Sequence, residues 1–393
     1  MVGLFSFDGP IYKDRNGIYC DTYITNEILQ RFFVVCDKLI LLIRCFEIQE
    51  TYSEKNLPKL ETSPNNIELV EMPNINSPLN YITRHKYIKQ IEDVVNRSDM
   101  VFLRIPSVLS DMVGDICIKR NKPYCIEVGG CSFDSYWNHD ITGRCIAPFM
   151  FLHQRYTVGH ASYASYVTEK WLQQRYPTKA NMIISASNVY LTDFNEEKIK
   201  EKSKSWSTKK DVYTVGTIAG YEVRYKGQHK VIKALSILKK KGIIFKYELV
   251  GNGDPTWLKS VAAKYDVLDQ VVFLGVKQKN EVKDWLYNDV NIYIQPSKQE
   301  GLPRSVIEAM NQGCVCLGSR KAGIPELLEE DEMFYPSDVI GMADKLEMVI
   351  TDGKPANRVM RNYEKSKRYD LKYLTEKRTT LFMAYKNSLS GKS

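Results

Sequence analysis

Gln295-Pro-Ser-Lys-Gln-Glu-Gly-Leu-Pro-Arg-Ser-Val-Ile-Glu-Ala-Met310 is the stretch on which the reading of this chain turns. The residues leading into it, Val290 to Gln295, read as a buried strand, and the strand opens into a loop that holds Glu300 and Gly301. Pro303 suits the first turn of a helix, which carries Glu308 further in. Gly301 lets the backbone approach a ligand closely, and the free N–H groups at a helix start favour an anion. Glu300 and Glu308 then face one ligand from loop and helix. Carboxylates accept hydrogen bonds from sugar hydroxyls, so the pair is suited to a ribose and a hexose. On spacing alone the two read equally well as solvated charges, because glutamate is mostly exposed.

Outward from this stretch, strands fit Tyr213 to Ile218, Phe245 to Val250, Val271 to Leu274 and Cys314 to Leu317. Helices fit His229 to Lys240, Trp257 to Tyr265, Val282 to Leu286 and Arg304 to Gln312. Strands alternating with helices predict a doubly wound parallel sheet. The same alternation, less regular, runs through the first half. Strands are expected at Val2 to Phe7, Leu39 to Arg44, Val101 to Ile105, Tyr124 to Val128, Tyr156 to Val158 and Met182 to Ile184. Helices are expected at Ile18 to Phe33 and Tyr163 to Arg175, and residues 50–64 read as a loop. The Lys-, Ser- and Glu-rich segment from Leu191 to Asp211 reads as a linker. The expected organisation is α/β: a Rossmann-like domain over 1–195, a second over 210–358, and a helical tail over 359–393 that packs back on the first. A cleft between two such sheets would collect the carboxyl ends of both sets of strands.

Bulk properties agree. A chain of 393 residues exceeds one comfortable core. Hydrophobic content of 44% and charged content of 26% belong to a globular protein and exclude disorder or a fibre. The opening Met1-Val-Gly-Leu-Phe lacks the pattern of a signal peptide, and no apolar run reaches the roughly 20 residues of a membrane span. Nine scattered cysteines without a Cys-x-x-Cys pair read as reduced thiols of a cytoplasmic protein. The net charge of +8 calls for an anionic partner: a diphosphate, an anionic membrane surface or nucleic acid. No nucleic-acid motif accompanies it, so nucleic acid is set aside.

The central stretch resembles the Glu-x7-Glu signature of retaining glycosyltransferases of family 4, which have the GT-B fold of two facing Rossmann-like domains. The likeness extends to Val215-Gly-Thr-Ile-Ala-Gly-Tyr-Glu-Val-Arg-Tyr-Lys-Gly227, to Glu248-Leu-Val-Gly-Asn-Gly253, to Val272-Phe-Leu-Gly-Val-Lys277 and to Ser319-Arg-Lys-Ala-Gly-Ile-Pro-Glu326. The resemblance implies a nucleotide-sugar donor as substrate. Lys226 and Arg224 would neutralise its diphosphate, and Glu300, with amides near Gly301, Leu302 and Pro303, would hold the transferred sugar. Glu308 would hold the ribose, and Gly275, Val276 and Lys277 would line the base. Gly216 belongs to the first of these motifs, and Gly17 is expected to approach the donor from the first domain. The family usually has Arg after the glycine matched by Gly216, whereas this chain has Thr217.

A sugar–diphosphate bond breaks with charge growing on the leaving phosphate, which these cations would stabilise. No Asp-x-Asp pair stands at a strand end, and the acidic run Glu329 to Glu332 reads as a solvated turn. No metal and no cofactor are therefore expected. In the first half, Cys125-Ile-Glu-Val-Gly-Gly-Cys-Ser-Phe-Asp-Ser-Tyr-Trp-Asn-His139 resembles family 4 enzymes of bacterial surface-polysaccharide synthesis. Asp134, Trp137 and His139, with His160 as a rival, are the acceptor-side candidates, and His139 doubles as a catalytic candidate. The acceptor implied is a glycan or a lipid-linked saccharide. Basic residues Lys170, Arg175, Lys365, Lys367 and Arg368 are candidates for peripheral contact with an anionic membrane. Another GT-B enzyme, an inverting transferase or an epimerase, and a degenerate binding protein are the alternatives.

Overall fold

Runs such as Leu39-Ile-Leu-Leu-Ile43 are apolar at every position, which suits strands covered on both faces. The computed structural model, which describes residues 1–21, 24–54, 57–61, 66–75 and 83–390, arranges them so. Contacts divide the chain into one unit of Met1–Ala186 with Thr375–Ser393, and another of Ser187–Leu374.

In the first unit the strands are β1 Val2–Lys13, β2 Tyr19–Cys20, β3 Lys38–Glu47, β4 Ile67–Met72, β5 Met100–Ile105, β6 Cys125–Val128, β7 Tyr163–Tyr166 and β8 Met182–Ser185. They run β4-β3-β1-β5-β6-β7-β8, all parallel, with β2 antiparallel on β1. An aromatic cluster fills one side. Phe32 lies 4.8 Å from Phe5 and 4.9 Å from Phe102, and Phe382 lies 4.9 Å from Phe102. Phe382 comes from the last helix, Leu371–Ser390. The Tyr385 hydroxyl on that helix donates to the Pro123 carbonyl at 2.7 Å and accepts from the Val101 N–H at 3.1 Å.

In the second unit β9 Tyr213–Ile218, β10 Phe245–Val250, β11 Val271–Gly275, β12 Ile292–Gln295, β13 Val315–Ser319 and β14 Met333–Phe334 run β11-β10-β9-β12-β13-β14, also all parallel. Strand order reverses between β9 and β12. Crossovers leave these two neighbours in opposite directions, which sets the loops beyond their carboxyl ends side by side.

Several expectations change. The segment read as a linker contains the helix Glu196–Lys204, capped by Asn195, and it belongs to the second unit. Its Lys202 is buried, and the ammonium donates to the carbonyls of Leu286 at 2.5 Å and Gln312 at 3.0 Å. Carbonyls left over at two helix ends thus hold the charge. The tail also divides differently. The helix Pro355–Ser366 buries Val359 and Tyr363 in the second unit's core, and only residues from Thr375 on join the first unit.

In the first unit, β1 continues to Lys13, past its expected end at Phe7, and the helix expected from Ile18 is confined to Asn26–Gln30 with a short continuation. β4 has no counterpart in the sequence reading. The loop read over 50–64 lies partly outside the described residues. Tyr156 to Val158 lie inside the helix Ile141–Gly159, and the strand is Tyr163–Tyr166, where a helix was expected. Glu332 in the acidic run is fully buried against Arg358 and Arg361.

The Tyr385 hydroxyl ties the last helix to the edges of β5 and β6. Tyr385→Phe should therefore lower stability by about 1–3 kcal/mol, because the Val101 N–H is left unpaired in the interior. A melting curve unchanged from the parent would show that this hydroxyl does not hold the helix.

Candidate functional site

The loop after β9 and the loop after β12 meet at the reversal of strand order. The first closes with the turn Arg224–Lys226 and Gly227, whose φ is +81°. A Cβ at Gly227 would collide with the Pro296 carbonyl, so only glycine lets the two loops touch. The Lys298 N–H donates to the Tyr225 carbonyl at 2.8 Å and fixes their register. Held this way, Lys226 Nζ donates to Glu300 Oε1 at 2.7 Å, and both side chains are largely covered.

A buried glutamine steadies the carboxylate. Gln295 Nε2 donates to Glu300 Oε1 and to Ser297 Oγ, each at 2.8 Å. Its Oε1 accepts from the Tyr293 hydroxyl at 3.0 Å, and that hydroxyl accepts from the Ile218 N–H at 3.2 Å. The chain of bonds therefore runs from the end of β9 to Glu300. Gln295 opens the quoted stretch, yet no role was assigned to it there. A strand-end Gln is recognisable only once its neighbours in space are known.

The helix Arg304–Asn311 follows, with Pro303 one residue earlier than expected, at the cap position. Glu308 lies on this helix, and its carboxyl group makes no hydrogen bond or ion pair among the described residues. Burial pushes its carboxyl above the ordinary glutamate value, against the pull of Arg304 and Lys279. A shielded carboxylate without a protein partner is a marker of a ligand site.

Around the turn, cations gather. The Arg224 guanidinium lies 4.8 Å from the Trp257 ring and has no carboxylate partner among the described residues. His229, in the first turn of the helix Gln228–Lys240, packs against the same ring. Burial first, then Lys230, Lys233, Lys298 and Arg224, press the His229 imidazole down to about 4. Burial and the neighbouring lysines lower Lys230 to about 8. His229 and Lys298 were assigned no role in the sequence reading, although Lys298 lies inside the quoted stretch and His229 opens an expected helix.

Other expected residues fall apart from this cluster or have another explanation. Gly216 lies within β9, where a Cβ would strike Trp285 and Val290, so packing accounts for it. Thr217 is fully buried. Its hydroxyl donates to the Ile294 carbonyl at 2.8 Å and accepts from Tyr247 at 2.9 Å, so it braces the sheet. Gly275 ends β11 with φ +70°, and Val276 beyond it is exposed. The Gly301 carbonyl accepts from the Gly323 N–H at 3.0 Å, and Leu302 is buried.

In the first unit, Gly17 sits in the tight turn between β1 and β2, closed by Asp14, and its φ of +75° suits that turn. Asp134 and Trp137 lie on the short helix Ser132–Trp137, and His139 just beyond it bonds Asp140 at 2.9 Å. His160 caps the far end of the helix Ile141–Gly159, whose 19 residues rise about 28 Å. His160 therefore cannot share a site with His139.

Two doubly wound parallel-sheet units, with a polar cluster at the strand reversal of the second, define the GT-B class of glycosyltransferase folds. Solved structures match along the whole chain: sucrose-phosphate synthase from Thermosynechococcus elongatus at TM-score 0.66 and 14% identity, covering 98% of this chain and 99% of that one. Anabaena HepE in complex with UDP matches at TM-score 0.65 and 13% identity, each chain covered in full. The family model for glycosyl transferases group 1 matches residues 195–367. Protein CapJ of Staphylococcus aureus is 30% identical over 99% of this chain and 97% of its own. The colanic acid biosynthesis glycosyltransferase WcaL of Escherichia coli is 28% identical over 42% of this chain and 41% of its own. The chain belongs to the group 1 glycosyltransferases.

Glu308 offers a test that needs no substrate. A carboxyl raised by burial favours its protonated form in the folded state, so stability is lost as pH rises through the raised value. Glu308→Gln removes that loss. The variant should melt higher than the parent at pH 7–8, with the gain shrinking as pH falls toward the ordinary glutamate value. A destabilised variant at neutral pH would mean that the carboxylate is satisfied within the protein.

Proposed function

We propose that this group 1 glycosyltransferase is a retaining enzyme of family 4 that binds a nucleoside-diphosphate sugar on the second unit. It passes the sugar to a glycan or lipid-linked saccharide acceptor in surface-polysaccharide synthesis. The observation that carries the reading is the Lys226–Glu300 pair at the strand reversal, on the same segment as the unpartnered Glu308.

In this reading the donor's diphosphate draws Lys226 from Glu300. Lys226 and Arg224 meet the charge that grows on the leaving phosphate, aided by amides at the start of the helix Gln228–Lys240. Glu300, released but still held by Gln295, accepts from hydroxyls of the transferred sugar. Glu308 accepts from the ribose, and Gly275 to Lys277 line the base. The sugar bond to the diphosphate breaks, an acceptor oxygen bonds to the same carbon on the same face, and the nucleoside diphosphate departs. The acceptor proton leaves with the diphosphate or to solvent.

Thr217 does not replace the usual arginine, so the phosphate grip falls to Lys226 and Arg224. These cations do the neutralising that a divalent ion does in other transferases, which is the ground for proposing metal independence. Asp134, Trp137 and His139 are the proposed acceptor contacts. The UDP and UDP-glucose complexes of HepE make UDP the first probe to try.

Lys226→Ala should cut transfer by about a hundredfold or more, while a chelator should leave the parent's rate unchanged. The two glutamates should separate by calorimetry with the bare nucleoside diphosphate. Glu308→Gln weakens its binding, whereas Glu300→Gln leaves binding nearly intact and lowers transfer. Proton NMR of the product should show the donor's anomeric configuration. Unchanged turnover in the Lys226 variant, or equal loss of nucleotide in both glutamate variants, would contradict these roles.

A further inference from the structure

The helix Ile141–Gly159 buries one face and leaves another apolar and uncovered. Its inner face, with Ala147, Met150 and Gln154, packs inside the first unit, where Gln154 Oε1 accepts from the Ser132 N–H at 2.8 Å. On the outer face Ile141 is 78% exposed, Leu152 62%, Phe149 55% and Tyr156 48%. At 3.6 residues per turn these four form one continuous stripe. Trp137, 44% exposed, stands just before it. Scattered exposed apolar residues need no explanation, but a contiguous stripe of large ones does.

The charge around the stripe selects its occupant. The helix contains no Asp or Glu in its 19 residues. Arg144 and Arg155 flank one edge of the stripe, and neither has a carboxylate partner among the described residues. Arg144 Nε donates to the Trp137 carbonyl at 3.4 Å, and Arg155 donates to the Arg175 carbonyl at 2.8 Å. The nearby acids are engaged: Asp140 caps the helix, accepting from the Gly143 N–H at 2.6 Å, and Asp115 meets His153 at 3.0 Å.

We propose that this face docks the first unit on an anionic lipid leaflet, with the stripe sunk below the headgroups and the arginines level with the phosphates. An interfacial helix has this composition: a large apolar face, basic residues beside it, and Trp or Tyr at the rim. A second copy of the chain would bring two more arginines and no acid, which fits the face less well. Three of the basic residues first nominated from the sequence are occupied. Arg175 lies over the Phe133, Phe151 and Trp171 rings, Lys365 pairs with Glu329, and Lys367 pairs with Glu364. The purpose of docking rests on the proposed lipid-linked acceptor. That acceptor would meet the protein beside the Asp134 to His139 segment, which runs directly into this helix.

Co-sedimentation with phosphatidylglycerol-containing vesicles at low salt, against pure phosphatidylcholine vesicles, tests the proposal. The parent should pellet with the anionic vesicles, and release should follow as added salt screens the arginines. Phe149→Glu with Leu152→Glu should lower partitioning at least about tenfold, and Arg144→Gln with Arg155→Gln should lower it on anionic vesicles alone. Cys145, the one exposed cysteine among the described residues, lies on the stripe. An environment-sensitive dye there should shift to the blue on vesicles, so the test does not depend on the acidic variant folding. UDP-induced melting shifts, read on the same samples, report the donor site separately. Vesicle binding without a UDP shift would uphold docking while sinking the donor reading. Failure of the parent to bind anionic vesicles would overturn docking. So would equal binding by the acidic variant, or a lipid-free dimer that this variant abolishes.

Discussion

Contact between two backbone loops sets the geometry of the donor side of this protein. Gly227, with positive φ and no Cβ, lets the turn after β9 rest against the Pro296 carbonyl, and the Lys298 N–H locks it to Tyr225. From that contact follow the meeting of Lys226 with Glu300 and the crowding of Arg224, His229, Lys230 and Lys298. Burial and this crowding together have a cost, visible in an imidazole pressed down to about 4 and an ammonium lowered to about 8. Folded proteins keep such like-charge clusters where a ligand of opposite charge relieves them. A diphosphate is such a ligand, and the proposed site adds the amides in the first turn of a 13-residue helix.

The second unit was legible in the sequence almost strand by strand. Tyr213–Ile218 and Phe245–Val250 were read with the bounds they have, because aromatic and β-branched residues recur in both and a glycine-containing turn follows each. The first unit was less so, for reasons visible in two elements. Tyr163-Ala-Ser-Tyr166 is short and contains Ala and Ser, so its two tyrosines give only a weak strand signal until its neighbours bury it. The helix Ile141–Gly159 carries apolar residues on its outer face as well, which blurs the 3.6-residue period and lets Tyr156 to Val158 pass for a strand. The misread helix and the proposed lipid surface share one cause.

At the site, the residues with charge were legible and the ones that hold them were not. Lys226, Glu300 and Glu308 stand in a motif with fixed spacing. Gln295, Tyr293 and His229 act through contacts between strands that are far apart in the chain, and no local pattern marks them. Thr217 is the reverse case. Its position in the motif pointed to the phosphates, yet its hydroxyl joins β12 to Tyr247 inside the sheet. A threonine there stiffens the sheet under the site and leaves charge neutralisation to the turn that follows.

The account depends on Lys226 exchanging one anion for another. A crystal structure of the complex with a nucleoside diphosphate would test this most directly. The expected result has the Lys226 ammonium off Glu300 and within about 3 Å of a diphosphate oxygen, with Glu308 hydrogen-bonded to the ribose. A complex in which the Lys226–Glu300 pair stays closed and the diphosphate lies elsewhere would contradict it.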